Sequence, residues 1–134
     1  MLTKINHIGI AVHSLDEALP FYRDQLGMAF IGTEEVGEQK VKVAMLRIGE
    51  AKIELLEPTS PESPVARFLE KNGPGIHHLA YGVEDIVQAI AKLEQDGARM
   101  IDRVPRAGAH GTMIAFVHPK SSGSVLTEIC QDGH

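Results

Sequence analysis

The sequence has no tryptophan, and its aromatic residues, four Phe and two Tyr, make up only 4% of the chain. Recognition by stacking bases or sugar rings on an aromatic platform is therefore not expected. There is one cysteine, Cys130, which excludes an intramolecular disulfide and fits a reducing cytoplasm, the expected location. Positive charge is not in excess: 13 Lys and Arg against 18 Asp and Glu give a formal net charge of −5, with the signs interspersed. Neither nucleic acid nor an anionic membrane is an expected partner. No apolar run approaches the roughly 20 residues that span a bilayer, and the first residues lack the apolar stretch of a secretion signal. Histidine, by contrast, is plentiful, with seven in 134 residues. At 43% hydrophobic and 23% charged residues, the composition is that of an ordinary globular domain, expected to span 1–134 as one unit.

Two stretches resemble each other. Ile5-Asn6-His7-Ile8-Gly9-Ile10-Ala11-Val12 matches Ile76-His77-His78-Leu79-Ala80-Tyr81-Gly82-Val83 at an offset of 71. Each has an isoleucine, a His two residues on, a short apolar alternation and a valine. The residues after each stretch also match in pattern. Ser14-Leu15-Asp16-Glu17 is a capping box, and Leu15, Ala18, Leu19, Tyr22 and Leu26 come next at helical spacing up to Gly27. Pro20 inside that span predicts a kink or a later start. Asp85 with Gln88 caps a second helix carrying Ile86, Ala89, Ile90 and Leu93, which stops at Gly97. Strands are predicted over 4–12, 28–34, 40–48 and 51–57 in the first copy. In the second they are predicted over 76–83, 98–103, 113–118 and 125–131, with a loop at 105–111. Between the copies, Pro58, Pro61 and Pro64 interrupt the chain, Ser63-Pro64 opens a short helix and Asn72-Gly73-Pro74-Gly75 ends it. The plan is therefore a βαβββ module over about 1–57, a linker helix over about 58–75, and a second βαβββ module over about 76–134.

The last strands of the copies carry one further correspondence. Glu54 lies in Ala51-Lys52-Ile53-Glu54-Leu55-Leu56, and Glu128 in Val125-Leu126-Thr127-Glu128-Ile129-Cys130. A carboxylate in an apolar mid-strand position is costly to bury unless something compensates it. A single His or Glu in a strand is ordinarily a packing or surface residue. Here both recur at equivalent places in two copies, which points to metal coordination. His7, Glu54, His78 and Glu128 would form a His₂Glu₂ set, an N/O donor set suited to Zn, Co, Ni or Mn. Strand parity turns His77 away from His78 and marks it as structural. His13 and His134 read as surface groups, and Cys130 as a small buried hydrophobe.

On these residues the chain resembles the vicinal-oxygen-chelate superfamily and, within it, the methylmalonyl-CoA epimerase family. The likeness runs nearly end to end. It is clearest in His7–Val12, in Ile53-Glu54-Leu55-Leu56-Glu57-Pro58, and in the linker from Ser63-Pro64 to Asn72-Gly73. It continues through Gly75–Ala80, Gly108-Ala109-His110-Gly111, His118-Pro119-Lys120, and Gly123 to Glu128. The resemblance implies an α+β fold in which the two modules form a cupped mixed β-sheet around a metal site, with helices outside. It implies His7, His78 and Glu128 as ligands, with Glu54 as the fourth where some members have Gln. In some members a second glutamate base lies on the middle strand of the first module. The aligned residue here is Lys42, or Val43 with the register shifted by one, a departure from that pattern.

The implied reaction is epimerisation of (2R)/(2S)-methylmalonyl-CoA, in which an α-proton is abstracted and returned through a metal-stabilised enolate. Glu128 is the expected base, and Glu54 the expected second one. Lys120 and His110 are expected contacts for the acyl-CoA substrate, at its free carboxylate or its CoA phosphates; Arg47 and Arg67 are further cations for the phosphates. Relatives in this superfamily are often dimers, so a homodimer is expected. Two other readings share the fold: a glyoxalase I-type isomerase acting on a glutathione adduct, which also uses a His/Glu/His/Glu set, and a non-catalytic small-molecule binding module. The linker and tail motifs oppose the first. The retention of all four candidate ligands opposes the second.

Overall fold

The computed structural model describes residues 1–133, so the expectation for His134 lies outside the described residues. The chain clusters into two compact units. One is His7–His77; the other combines Met1–Asn6 with the chain from His78 on. The first strand, β1 (Leu2–Ala11), contributes to both.

The His7–His77 unit holds the later part of β1, α1 (Leu15–Leu19), β2 (Ala29–Val36), β3 (Val41–Ile48), β4 (Ala51–Pro58) and α2 (Pro64–Asn72). Its strands lie in the order β2-β3-β4-β1. β1 and β4 run parallel, while β2 with β3 and β3 with β4 run antiparallel. One sheet face carries Ile10, Ala44, Leu46, Ile53 and Leu55, and these pack with Leu15 and Leu19 of α1. Alternation then turns His7, Gly9, Met45 and Glu54 to the other face. The helix starts where Ser14 accepts a hydrogen bond from the Glu17 amide at 3.3 Å. At Pro20 it loosens into a π-type turn over Pro20–Gln25, which is the form the expected kink takes.

The second unit has the same plan, with β5 (Gly75–Val83) from His78 onward, α3 (Ile86–Gln95), β6 (Arg106–Ala107), β7 (Met113–Val117) and β8 (Thr127–Gln131). Its order is β5-β8-β7-β6, with β5 and β8 parallel and the other neighbours antiparallel. Ile86, Ala89 and Ile90 of α3 cover Val83, Ala115, Val117 and Ile129. Asp85 caps α3 through the Gln88 amide at 3.1 Å, as its spacing predicts. Both units mix parallel and antiparallel pairing beside their helices, so the fold class is α+β.

Two local expectations are corrected. Residues 98–103 form no strand; only Met100 makes an isolated bridge, to Val117. The amides of Ile101 and Asp102 both donate to the Phe116 carbonyl, and the Asp102 carboxylate accepts the Phe116 amide at 2.9 Å. A side chain thus takes the ladder position that a strand backbone would have filled. Residues 105–111 are not wholly loop, because Arg106 and Ala107 pair with Ile114 and Met113 as β6.

Candidate active site

Each unit brings its His and its Glu together, and by the same means. In the first, the parallel β1/β4 ladder sets Glu54 beside Gly9, two residues on from His7. In the second, the β5/β8 ladder sets Glu128 beside Ala80, two residues on from His78. Residues two apart share a strand face, so each carboxylate and imidazole project from neighbouring strands on one side. The distances are 3.4 Å from His7 Nδ1 to Glu54 Oε2 and 3.2 Å from His78 Nε2 to Glu128 Oε1. All four residues are buried, at 4%, 8%, 5% and 3% exposure in the order His7, Glu54, His78, Glu128. The small residues beside the carboxylates, Gly9 and Ala80, leave each pair without a bulky neighbour on that side.

Four largely dehydrated ionisable groups are costly in an apolar interior. Within each unit, an imidazole next to a carboxylate is the donor combination that borderline divalent cations take. The residues present thus fit a divalent ion.

His77 stands edge-on to Phe68 of α2, with ring centroids 5.1 Å apart, and belongs to the scaffold. His13 is exposed. Cys130 is 1% exposed and packs with Ile114 and Phe116. His110 sits in the turn Ala109–Gly111 with a left-handed φ of 60°. Lys120 is exposed, and its amide donates to His118 Nδ1 at 3.1 Å. His118 is held below its ordinary pKa, first by partial burial and then by the positive charges of Arg99 and Lys120.

The middle strand of the first unit offers no second carboxylate. Lys42 pairs across with Glu57, which shares the face of Leu55 and α1. Val43, 2% exposed, lies on the Glu54 face. Its neighbour on β2 is Glu34, the other carboxylate that the register turns toward that side.

Sequence reasoning did not single out Arg106. It pairs opposite Ile114 on β6, and its guanidinium carbon stands 5.7 Å from the centroid of the Phe116 ring. That ring meets His78 edge-on at 5.5 Å, and Phe116 lies directly across from Glu128. Asp102 holds Arg106 Nε at 3.4 Å. The available signal was an arginine directly after Pro105, a few residues before an apolar strand.

Residues 6–116 match the family model described as the glyoxalase/bleomycin resistance protein/dioxygenase superfamily. The chain belongs to this superfamily. Among its relatives within the superfamily is an ethylmalonyl-CoA/methylmalonyl-CoA epimerase of Cereibacter sphaeroides, 41% identical over 133 residues, covering 98% of this chain and 99% of the relative. The mitochondrial methylmalonyl-CoA epimerase of Homo sapiens is 37% identical, covering 97% of this chain and 74% of the relative. A variant of the Streptomyces coelicolor methylmalonyl-CoA epimerase, solved with 2-nitronate-propionyl-CoA, superposes with a TM-score of 0.96 at 42% identity, covering 99% of this chain and 96% of that one.

Proposed function

We propose that this protein is an isomerase that epimerises methylmalonyl-CoA at C2, with a divalent metal held by His7, Glu54, His78 and Glu128. The observation that carries the reading is the equivalence of the two buried His–Glu pairs, each set by a parallel ladder at the same register. Relatives named as epimerases of this substrate support it.

The chemistry asks two things of the chain. The substrate C2 proton lies between a thioester and a carboxylate and is weakly acidic, so the charge that develops on its removal must be stabilised. When bound, a divalent ion, of which Co, Zn, Ni and Mn suit this donor set, supplies Lewis-acid polarisation of the thioester carbonyl. Inversion also needs one group to take the proton and another to return one to the opposite face of the carbon. Glu128 takes the first role and Glu54 the second. A carboxylate has two oxygens, so each can keep one engaged while the other handles the proton. His7 and His78, 3.4 and 3.2 Å from these carboxylates, fix their orientation. Lys120 and His110 lie on loops of the second unit and serve as substrate contacts, with Lys120 directed to the CoA phosphates. The protein works in the cytoplasm as one domain over 1–134 and as a homodimer.

The test is deuterium uptake at C2 of methylmalonyl-CoA in deuterium oxide, followed by proton NMR. The expected result is exchange that a chelator abolishes and cobalt restores. Glu128→Gln is expected to retain metal but lose exchange. Absence of exchange in the metal-loaded wild type, with turnover of a glutathione hemithioacetal instead, would overturn the reading in favour of a glyoxalase-type isomerase.

A further inference from the structure

We infer that Arg106 is the residue that binds the free carboxylate of the substrate acyl group and so selects a malonyl-type thioester over a simple acyl thioester. This rests on the epimerase reading above and deepens it.

Four observations lead there. First, placement: Arg106 pairs with Ile114, and Ile114, Phe116 and Cys130 form the apolar cluster on the face that bears Glu128. The guanidinium therefore belongs to the same face as the His78–Glu128 pair. Second, support: the side chain lies over the Phe116 ring at 5.7 Å, and Asp102 is anchored in turn by the Phe116 amide at 2.9 Å. A cation braced by an aromatic face and a fixed carboxylate loses little freedom when it binds a ligand. Third, unspent capacity: Arg106 Nε is buried without a hydrogen-bond partner among the described residues, with Asp102 Oδ1 at 3.4 Å. Asp102 is its ion-pair partner, through Nε, and the guanidinium presents its two terminal nitrogens as further donors. Those two parallel donors match a carboxylate bidentately, which a lysine cannot do. Fourth, two other cations of this unit, Lys120 and Arg103, are less suited. Lys120 is exposed on a turn, and Arg103 is engaged by Glu94 at 2.7 Å with its side chain 78% exposed.

The role is one of binding and orientation, with no bond made or broken at Arg106. With the thioester end held as well, holding the carboxylate fixes rotation about the bond between C2 and the thioester carbon, so the C2 hydrogen is presented in one direction rather than several. It also removes the substrate's own negative charge from competition with the charge developing on the thioester side.

Affinities of the full chain for malonyl-CoA and propionyl-CoA, which carry a carboxylate and a methyl group respectively at the same position on C2, test the inference by calorimetry. In Arg106→Met the dissociation constant for malonyl-CoA is expected to rise roughly 10- to 100-fold, while that for propionyl-CoA stays within about twofold. Arg106→Lys keeps the charge and the stem over Phe116, and is expected to fall between wild type and Arg106→Met for malonyl-CoA alone. If Arg106→Met does not fold, the lysine variant decides by the same comparison. Equal losses for both ligands would show a structural role and overturn the inference, as would no loss for either. Binding is read without turnover, so a wild type that discriminates through Arg106 but exchanges no C2 proton would sink the epimerase reading and leave this one standing.

Discussion

Glu54 and Glu128 occupy the same register in two ladders, yet their surroundings differ. Phe116 stands across from Glu128, whereas Met45 stands across from Glu54. Glu54 is also one of two carboxylates that the register turns to its side of the first sheet, the other being Glu34 beside Val43. Glu54→Gln is therefore expected to retain metal while the rate of C2 exchange falls by about 10²-fold or more, the usual scale for losing a general acid–base group. Exchange at the wild-type rate in Glu54→Gln, lost only when Glu34→Gln is added, would move the second role to Glu34. His118 makes a second prediction at this scale. Its ring accepts the Lys120 amide through Nδ1, and partial burial, Arg99 and Lys120 all disfavour its protonation. The folded pKa lies below the unfolded value of 6.5, so between the two the unfolded chain binds more protons. The contribution of this ring to stability is complete above 6.5 and is lost as pH falls through the folded pKa. Proton NMR should place the His118 midpoint below 6.5, and Lys120→Gln should move it upward.

Among the elements, the helix caps carry individual weight. Ser63 is fully buried and accepts the Val65 amide at 3.1 Å to start α2. Ser63→Ala is expected to cost about 1 kcal/mol, or roughly 3 °C in melting temperature for a chain of this length, without changing exchange at C2. Thermal unfolding followed by circular dichroism checks this. Most elements were legible in the sequence because their signals are local. Capping residues at Ser14, Ser63 and Asp85 marked the helix starts, period-two alternation in β1 and β5 set the faces of His7 and His78, and the repeat singled out Glu54 and Glu128 among apolar neighbours. The failures came where a side chain replaces backbone. At 98–103 the repeated module plan called for a strand, but the Asp102 carboxylate occupies the ladder position. Arg106 lay in a segment read as loop because a two-residue strand leaves no periodicity to detect. Which face Lys42 and Val43 occupy is visible only in the β3/β4 register, which puts the lysine on the α1 side and the valine on the Glu54 side.

At the scale of the molecule, the same plan occurs twice in one chain, and the metal proposal ties it to stability. Removing metal with a chelator is expected to lower the melting temperature, since an ion that binds only the folded chain stabilises it by mass action, about 4 kcal/mol when present at 1,000 times its dissociation constant. A differential scan with and without chelator measures this, and identical traces would argue that no ion is held. The parallel ladders have a further consequence, for kinetics. His7 and Glu54, like His78 and Glu128, are separated by roughly fifty residues, and neither meets its partner until that length of chain has closed on itself. Such distant pairings are slow to nucleate, and a chain still searching offers an ion scattered side chains rather than a prepared pair. On the metal proposal, an ion would bind after the rate-limiting step. In stopped-flow experiments, added cobalt should then leave the refolding rate unchanged and slow only unfolding, the behaviour of a latch on a finished structure and not of a template for making it.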